Sequence, residues 1–237
     1  MDMKFLNQFL IAACAGLVAC GGGGGGGSQP QSKVVSTNVF NLKAAVASFA
    51  SSPFQKNYGV TAVKNGLTAS GSGSITQGSP QSATFEGVSG FKVVTTSLGS
   101  VSLNGSSTSL DGSGTDYYDS NYNYLGTDGA SSYTVVDGQA NFPTAIKVGD
   151  TGELFTAKQY SNSTKSSLTE TRKVTYLIEA DTSTTVILSV IYADQTSYGT
   201  KTSQSTDQYR ISADNKLTPI KSVVNNYTNS TVWTVTY

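Results

Sequence analysis

The second half of the chain constrains the fold most, because strand-like segments alternate there with short polar turns. Six segments rich in β-branched and aromatic residues follow one another between positions 153 and 237. Such side chains favour strands, whereas Asn, Asp, Ser and Gly favour turns. Short turns join antiparallel neighbours, so this half predicts an antiparallel meander. The predicted strands are 153–161, 169–179, 185–193, 200–211, 217–227 and 231–237.

One predicted strand, 185–193, is apolar on both of its faces. A strand of this kind is typical of a position with both faces covered, so we expect it in the middle of the core. The flanking strands alternate apolar and polar residues more strictly, so each should have one face exposed to solvent. The apolar residues of the two faces are Val186, Leu188, Val190 and Tyr192 on one side, and Ile187, Ile191 and Ala193 on the other.

The first half of the chain predicts shorter and sparser strands. One short pattern occurs in both halves: Thr115-Asp116-Tyr117-Tyr118 is similar to Thr206-Asp207-Gln208-Tyr209, and each is followed by a leucine. Two related meander halves would explain the similarity, and so would chance in a chain rich in Thr and Tyr. The predicted strands are 59–63, 68–76, 83–86, 91–96, 100–103, 115–118 and 122–126.

A single amphipathic helix is predicted over residues 38–51. Ser36, Thr37 and Asn38 offer side-chain oxygens that can cap its first turn, and Pro53 follows its end. Its apolar residues recur at helical spacing and should pack on the sheet. They are Val39, Leu42, Val46 and Phe49. The fold class is therefore mainly β: an antiparallel meander forming a curved sheet or half-barrel, with one N-terminal helix.

Composition excludes several classes of function. The chain has no histidine, and its two cysteines are Cys14 and Cys20, both near the N-terminus. Ser-His-Asp and Cys-His catalytic arrangements and histidine metal sites are therefore excluded. The 15 basic and 15 acidic residues balance, which gives no basic surface for nucleic acid. We expect a protein without a cofactor that is not an enzyme.

The N-terminus resembles that of bacterial lipoproteins. Lys4 precedes an apolar segment over 9–19, which ends in Leu17-Val18-Ala19-Cys20. The resemblance implies cleavage before Cys20, whose thiol would carry a diacylglycerol and whose amine an acyl chain. Cys14 also follows a suitable tripeptide, but a cut there leaves too short an apolar segment. Translation from Met3 instead of Met1 would give a cleaner basic segment.

A glycine-rich tether follows the lipobox. The predicted organisation is a signal peptide over 1–19, a lipidated cysteine with a flexible tether over 20–32, and a β-rich domain over 33–237. A Gly/Ser-rich linker of this length spans roughly 20 Å. The resemblance implies an outer-membrane location, on the periplasmic or the surface side, because residue 21 is Gly instead of Asp.

Tyrosines form one candidate binding patch. Tyr117, Tyr118, Tyr122 and Tyr124 fall within eight positions, and the last three would share a face of a strand or tight hairpin. Exposed tyrosines make good contacts with sugars or proteins. Cross-strand packing explains the same residues as part of a sheet. Both interpretations stay open at this point.

A weak candidate for a calcium loop overlaps the tyrosines. Asp119, Asn121 and Asn123 place oxygen ligands at alternate positions. The glycine and the bidentate glutamate that such a loop requires are replaced by Tyr124 and Ala130. We therefore expect no metal, and hairpin turns explain the same residues.

The sequence thus predicts a lipid-anchored protein of the cell envelope that acts as a binding or structural module. Its expected partners are the membrane, through the lipid anchor, and an envelope protein or a glycan. The alternative is a carrier or sensor that holds an apolar ligand in a curved sheet. A third interpretation, a glycan-acting enzyme, would need a pair of carboxylates in a cleft.

Overall fold

The structure, a computed structural model, describes residues 35–237. Cys20, the signal segment 1–19 and the tether 20–32 lie outside the described residues. No helix in the described range is long and apolar enough to cross a membrane. The elements are α1 (Leu42–Ser51), β1 (Phe54–Lys64), β2 (Leu67–Gln77), β3 (Gln81–Phe85), β4 (Val88–Leu103), β5 (Ser106–Ser109), β6 (Gly112–Asp119), β7 (Tyr124–Gly129), β8 (Tyr133–Asp137), β9 (Thr151–Tyr160), β10 (Leu168–Ala180), β11 (Val186–Gln195), β12 (Lys201–Ile211), β13 (Leu217–Asn226) and β14 (Thr231–Thr236).

Twelve of these strands form a closed antiparallel barrel. Each barrel strand pairs with its neighbours along the chain, and β14 pairs with β1 from Gly59↔Thr236 to Lys64↔Thr231. Strands β3 and β5 lie outside this ring and pair with the two ends of β4. The predicted antiparallel meander is therefore confirmed, whereas the predicted curved sheet or half-barrel is more closed than expected. The difference arises because β1 and β14 pair across nearly the whole chain, which local patterns do not report.

Prediction of the strands is accurate in the second half and less so in the first. The six predicted strands correspond to β9–β14, and their ends differ by at most two residues. In the first half, the predicted strands 91–96 and 100–103 belong to one strand, β4. Strands β5 and β8 were not predicted. Strand β5 consists only of Ser and Thr, which read locally as a turn.

Strand β11 occupies a different position from the one predicted. Its residues Val186, Leu188 and Val190 are buried inside the barrel. Ile187 and Ile191 on the other face are half-buried on the outer wall. The expectation that this strand crosses the middle of the core is therefore wrong, because a barrel wall is one sheet thick.

The helix covers one end of the barrel and packs its apolar face against the inner wall there. It begins at Leu42 because Asn41 caps it, accepting a hydrogen bond from the Ala44 amide at 2.9 Å. Residues 38–41 are extended, since Phe40 and Ile146 exchange backbone hydrogen bonds of 2.9 Å in each direction. Val39, which was predicted to face the core, is 67% exposed.

Three further hydrogen bonds fix α1 over this end, which we call the helix end. The Asn41 amide donates to Asn215 Oδ1 in the turn between β12 and β13, at 2.8 Å. The side-chain amide of Gln77 donates to the carbonyls of Phe49 and Ser52, both at 2.9 Å. The helix is therefore tied to two separate parts of the barrel rim.

Glycines on β2 and β4 make room for a tyrosine inside the barrel. Tyr58 lies in register with Gly73, which is itself opposite Gly99. The Tyr58 hydroxyl forms a hydrogen bond of 2.9 Å with Ser97 Oγ. A Cβ at Gly73 would lie 2.4 Å from the Leu98 carbonyl oxygen and 2.5 Å from the Tyr58 ring. The need to leave room for the Tyr58 ring therefore explains why β2 is rich in Gly and Ser.

Replacing Gly73 by Ala should destabilise the barrel by about 1–3 kcal/mol, because the added methyl group overlaps both backbone and ring. The matched control is Gly59→Ala on β1, where a Cβ has no atom within 4 Å. Urea unfolding followed by circular dichroism measures both variants. Equal midpoints for the two would contradict the packing argument.

Candidate ligand site in the barrel interior

A cavity of about 70 Å³ lies between α1 and the inner wall of the barrel. Leu42, Val46 and Phe49 of α1 form its roof, and inward-facing residues of the barrel wall and the 138–150 loop form the rest. These elements meet because α1 inserts its apolar face into the open end of the ring. Its aromatic lining comprises Phe49, Tyr118, Tyr124, Phe142, Phe155, Tyr192 and Tyr209.

A larger groove of about 440 Å³ adjoins this cavity on the outside of the helix end. It runs between the end of α1 and the start of β13, beside Lys56, Asp214 and Lys216. Phe49 and Leu217 line both the groove and the cavity. These two side chains therefore form the partition between the interior and the surface.

Four buried tyrosines form a layer at the cavity: Tyr118, Tyr124, Tyr192 and Tyr209. Their rings contact one another and their aromatic neighbours, with Tyr118 and Tyr124 edge to face at 5.6 Å and Phe49 and Tyr209 likewise at 6.0 Å. Burial raises the pKa of all four hydroxyls above the ordinary value of 10. The hydroxyls are therefore protonated at neutral pH and can donate hydrogen bonds.

The two similar Thr-Asp-x-Tyr segments occupy equivalent places in the barrel. Asp116 and Tyr118 lie on β6, and Asp207 and Tyr209 lie on β12. These strands are six places apart in the twelve-stranded ring, so they lie on opposite walls and run in the same direction. Residues two apart share a face of a strand, so each segment turns both its Asp and its Tyr inward. The pattern shared by the two halves therefore coincides with one interior site.

Each of the two inward aspartates is bonded to a hydroxyl of the next strand. Thr127 of β7 donates to Asp116 Oδ1, and Ser222 of β13 donates to Asp207 Oδ1 at 2.5 Å. The second carboxylate oxygen of Asp207 has no hydrogen-bond partner, although the residue is only 1% exposed. A buried carboxylate oxygen without a partner is costly, and it marks a place where a ligand can supply the missing contact.

Burial controls the ionisation of both carboxyl groups. It raises the pKa of Asp116 to about 7, against the opposing effect of the hydrogen bonds from Thr127 and Tyr124. It likewise raises the pKa of Asp207 to about 7, although the hydrogen bond from Ser222 and the charge of Arg172 act in the other direction. Both groups therefore titrate near neutral pH.

Arg172 carries the positive charge nearest to these carboxylates, and it is engaged elsewhere. Its guanidinium forms two hydrogen bonds to Asp194, at 2.7 and 3.0 Å, and it lies 5.5 Å from the centre of the Tyr192 ring. Burial disfavours its charge, but Asp194 outweighs burial and holds the pKa of Arg172 above its ordinary value. Ser203 and Gln159 also donate to Asp194, at 2.8 and 3.2 Å.

Charges in the interior are therefore unbalanced. Asp194 is neutralised by Arg172, whereas neither Asp116 nor Asp207 forms an ion pair with any described residue. Both aspartates nevertheless act electrostatically on the hydroxyl of Tyr192, which lines the cavity. The site thus combines aromatic walls with two unpaired acidic groups.

The predicted tyrosine patch is divided between the two faces of the barrel wall. Tyr118 and Tyr124 line the cavity, whereas Tyr117 faces outward and stacks on Phe85 with ring centres 4.4 Å apart. Tyr122 lies in the turn after β6 with a φ of 61° and packs on Phe91. Tyr118 stacks on the same Phe91 ring, and Tyr122 packs against the buried core beside it, but Tyr122 does not line the cavity.

The weak calcium candidate is a hydrogen-bonded turn. Asp119 Oδ1 accepts the amides of Asn121 and Asn123 at 2.8 and 2.9 Å, and its Oδ2 accepts the Asn123 side-chain amide at 2.8 Å. These bonds use the oxygens that a cation would need. Between residues 35 and 237, no cluster of three or more His, Cys, Asp or Glu side chains is arranged to hold a metal.

Sequence reasoning missed most residues of the interior site. Arg172 and Asp194 belong to no recognisable motif, and Tyr192 was noted only as an apolar residue of the predicted strand 185–193. The repeated Thr-Asp-x-Tyr pattern was the available signal for Asp116 and Asp207, but local sequence does not show that the two copies face each other.

Comparison of the chain with protein-family models, with curated proteins and with solved structures found no match. The site is therefore interpreted from its own geometry.

The two aspartates should make stability fall as pH rises. Their folded-state pKa of about 7 lies above the ordinary value of 3.8, so the folded state binds more protons between these values. Each group should lower the free energy of unfolding by up to about 1.4 kcal/mol per pH unit in this window, with no further loss above it. Urea unfolding at several pH values between 4.5 and 8 measures the slope.

Asp207→Asn should remove the contribution of one carboxyl group to the pH dependence of the free energy of unfolding. It should also stabilise the protein at pH 8, since the neutral amide can still accept a hydrogen bond from Ser222. Asp137→Asn is the control, because Asp137 forms an exposed ion pair with Lys158 on the outer wall. An unchanged slope in Asp207→Asn would show that this carboxyl does not titrate in the window.

Proposed function

We propose that this chain is a lipid-anchored protein of the cell envelope whose barrel binds a small ligand in the cavity beneath α1. The connection between the cavity and the surface is the observation that most directly supports a binding role. Phe49 and Leu217 line both the cavity and the outer groove, so a ligand could pass between these two side chains into the interior. Ligand sites are typically concave and largely apolar, with a few convergent polar groups.

The size of the cavity favours a small ligand over a lipid. A cavity of about 70 Å³ is smaller than one of about 150 Å³ that holds benzene. An apolar ligand as large as an acyl chain would require α1 to leave its place, and this would break its hydrogen bonds to Gln77 and Asn215. A small ligand with its remainder in the groove requires no such displacement.

The same geometry favours binding over glycan hydrolysis. Asp116 and Asp207 are buried, and each lies one inward position from a tyrosine that lines the cavity. A sugar ring would have to enter the closed barrel to place its glycosidic bond between them. The carboxylates therefore suit recognition of a small group better than chemistry on a saccharide.

The anchor is proposed from the sequence around Cys20, and it suggests an orientation. The tether of 20–32 leads directly to the segment before α1. With a reach of roughly 20 Å, it would hold the helix end of the barrel near the membrane. The outer wall suits an aqueous setting, since β12 turns polar side chains outward. These are Gln204, Thr206, Gln208 and Arg210.

Filling the cavity should abolish binding. Val46→Phe places a larger side chain into the cavity roof, whereas Ser51→Phe adds the same ring at an exposed position outside cavity and groove. Native mass spectrometry of protein gently extracted from envelopes should show a bound small molecule on the wild type and on Ser51→Phe, and none on Val46→Phe. A wild-type protein without any adduct, or an adduct that survives Val46→Phe, would contradict the proposed site.

Lipidation should depend on Cys20 and not on Cys14. Cys20→Ser should abolish metabolic labelling with a fatty-acid analogue and release the protein from the membrane fraction. Cys14→Ser should leave both unchanged, because it alters only the signal segment. Labelling that persists in Cys20→Ser would refute the proposed anchor, and the binding proposal would be unaffected.

A further inference from the structure

The unbalanced charges of the interior indicate which chemical class the cavity accepts. Asp116 and Asp207 are 5% and 1% exposed, and hydroxyl groups are their only hydrogen-bond donors among the described side chains. A buried carboxylate is strongly stabilised by a cation and strongly destabilised without one. The one interior guanidinium, Arg172, is already bound to Asp194 through both of its hydrogen bonds. A cationic ligand would therefore supply what the empty site lacks.

The walls of the cavity favour an organic cation over a metal ion. Tyr118, Tyr192 and Tyr209 present aromatic rings, which attract ammonium groups through their negative faces. Metal ions instead require several oxygen ligands in close geometry. Asp207 lies next to the cavity lining without being part of it. It lies directly opposite Val190 and two residues before Tyr209, and both of these line the cavity.

The rest of the ligand must be apolar and narrow. The cavity holds about 70 Å³, so only a head group and a short chain fit inside it. The path outward passes between Phe49 and Leu217, which are both apolar. Beyond them, the groove carries Lys56, Lys216 and Asp214, and their net positive charge disfavours a second positive charge on the ligand there. A monoamine suits this path better than a polyamine does.

We propose that the barrel binds a small primary alkylamine, with its ammonium group beside the unpartnered carboxylate oxygen of Asp207 and its alkyl chain leading out between Phe49 and Leu217. This inference rests on the proposed binding function and specifies its ligand class. Asp207 supplies the charge selectivity, the tyrosines enclose the head group, and the partition side chains contact the alkyl chain.

The test compares three six-carbon probes that differ only in their head group. Isothermal titration calorimetry at pH 8 uses the full lipid-anchored chain in phosphatidylcholine nanodiscs, with empty nanodiscs as the blank. Hexylammonium should bind at least tenfold more tightly than 1-hexanol, and hexanoate should bind more weakly than 1-hexanol. Asp207→Asn should weaken hexylammonium about tenfold while 1-hexanol keeps its affinity. Asp137→Asn should change neither.

The outcomes separate this inference from the proposed function. If 1-hexanol or hexanoate binds as tightly as hexylammonium, the amine class is wrong and the cavity remains a binding site. If no probe binds but the wild type carries an adduct from envelopes, the amine class is likewise wrong. If no probe binds and no adduct is found, both proposals fail. An amine preference that survives Asp207→Asn would also overturn the inference.

Discussion

Pairing of β1 with β14 is the interaction on which the rest of the structure depends. It joins Gly59–Lys64 to Thr231–Thr236 and so converts a meander with two open edges into a ring. Closure gives every barrel strand an inner and an outer face, and it removes unpaired edges that would favour aggregation. A ring of twelve strands encloses more space than small side chains fill, so tyrosines and the apolar face of α1 occupy it.

Ionisable groups are buried inside the barrel next to its apolar core, and this has an energetic cost. The chain has no disulfide in the described region, so packing and hydrogen bonds alone must offset two unpaired carboxyl groups and a buried ion pair. Protonation is the simplest way to reduce this cost, since burial moves the pKa of Asp116 and Asp207 to about 7. A bound cation also reduces this cost, and it competes with the proton for the same carboxylate oxygens. Stability and ligand binding are thus coupled through Asp207.

The parts of the fold that sequence predicted well are those governed by local contacts. β9–β14 follow directly from alternation and turn residues, because consecutive strands pair with one another. The helix was predicted four residues too early, because Phe40 pairs with Ile146 and holds the chain extended. The candidate tyrosines divided in the same way. Tyr118 and Tyr124 line the cavity, whereas Tyr117 faces outward because neighbouring residues of a strand alternate, and Tyr122 lies in the turn after β6 and packs on Phe91.

By itself, the sequence determined the strand-rich antiparallel class, the absence of histidine chemistry and the repeated Thr-Asp-x-Tyr pattern, since these depend on composition and on near neighbours. It also predicts the lipid anchor at Cys20. Only the tertiary structure decided that the sheet closes, that α1 covers its end, and that the two copies of the pattern lie on opposite walls. The physical reason is that burial and charge balance depend on residues about ninety positions apart, which face the same interior only when the ring has formed.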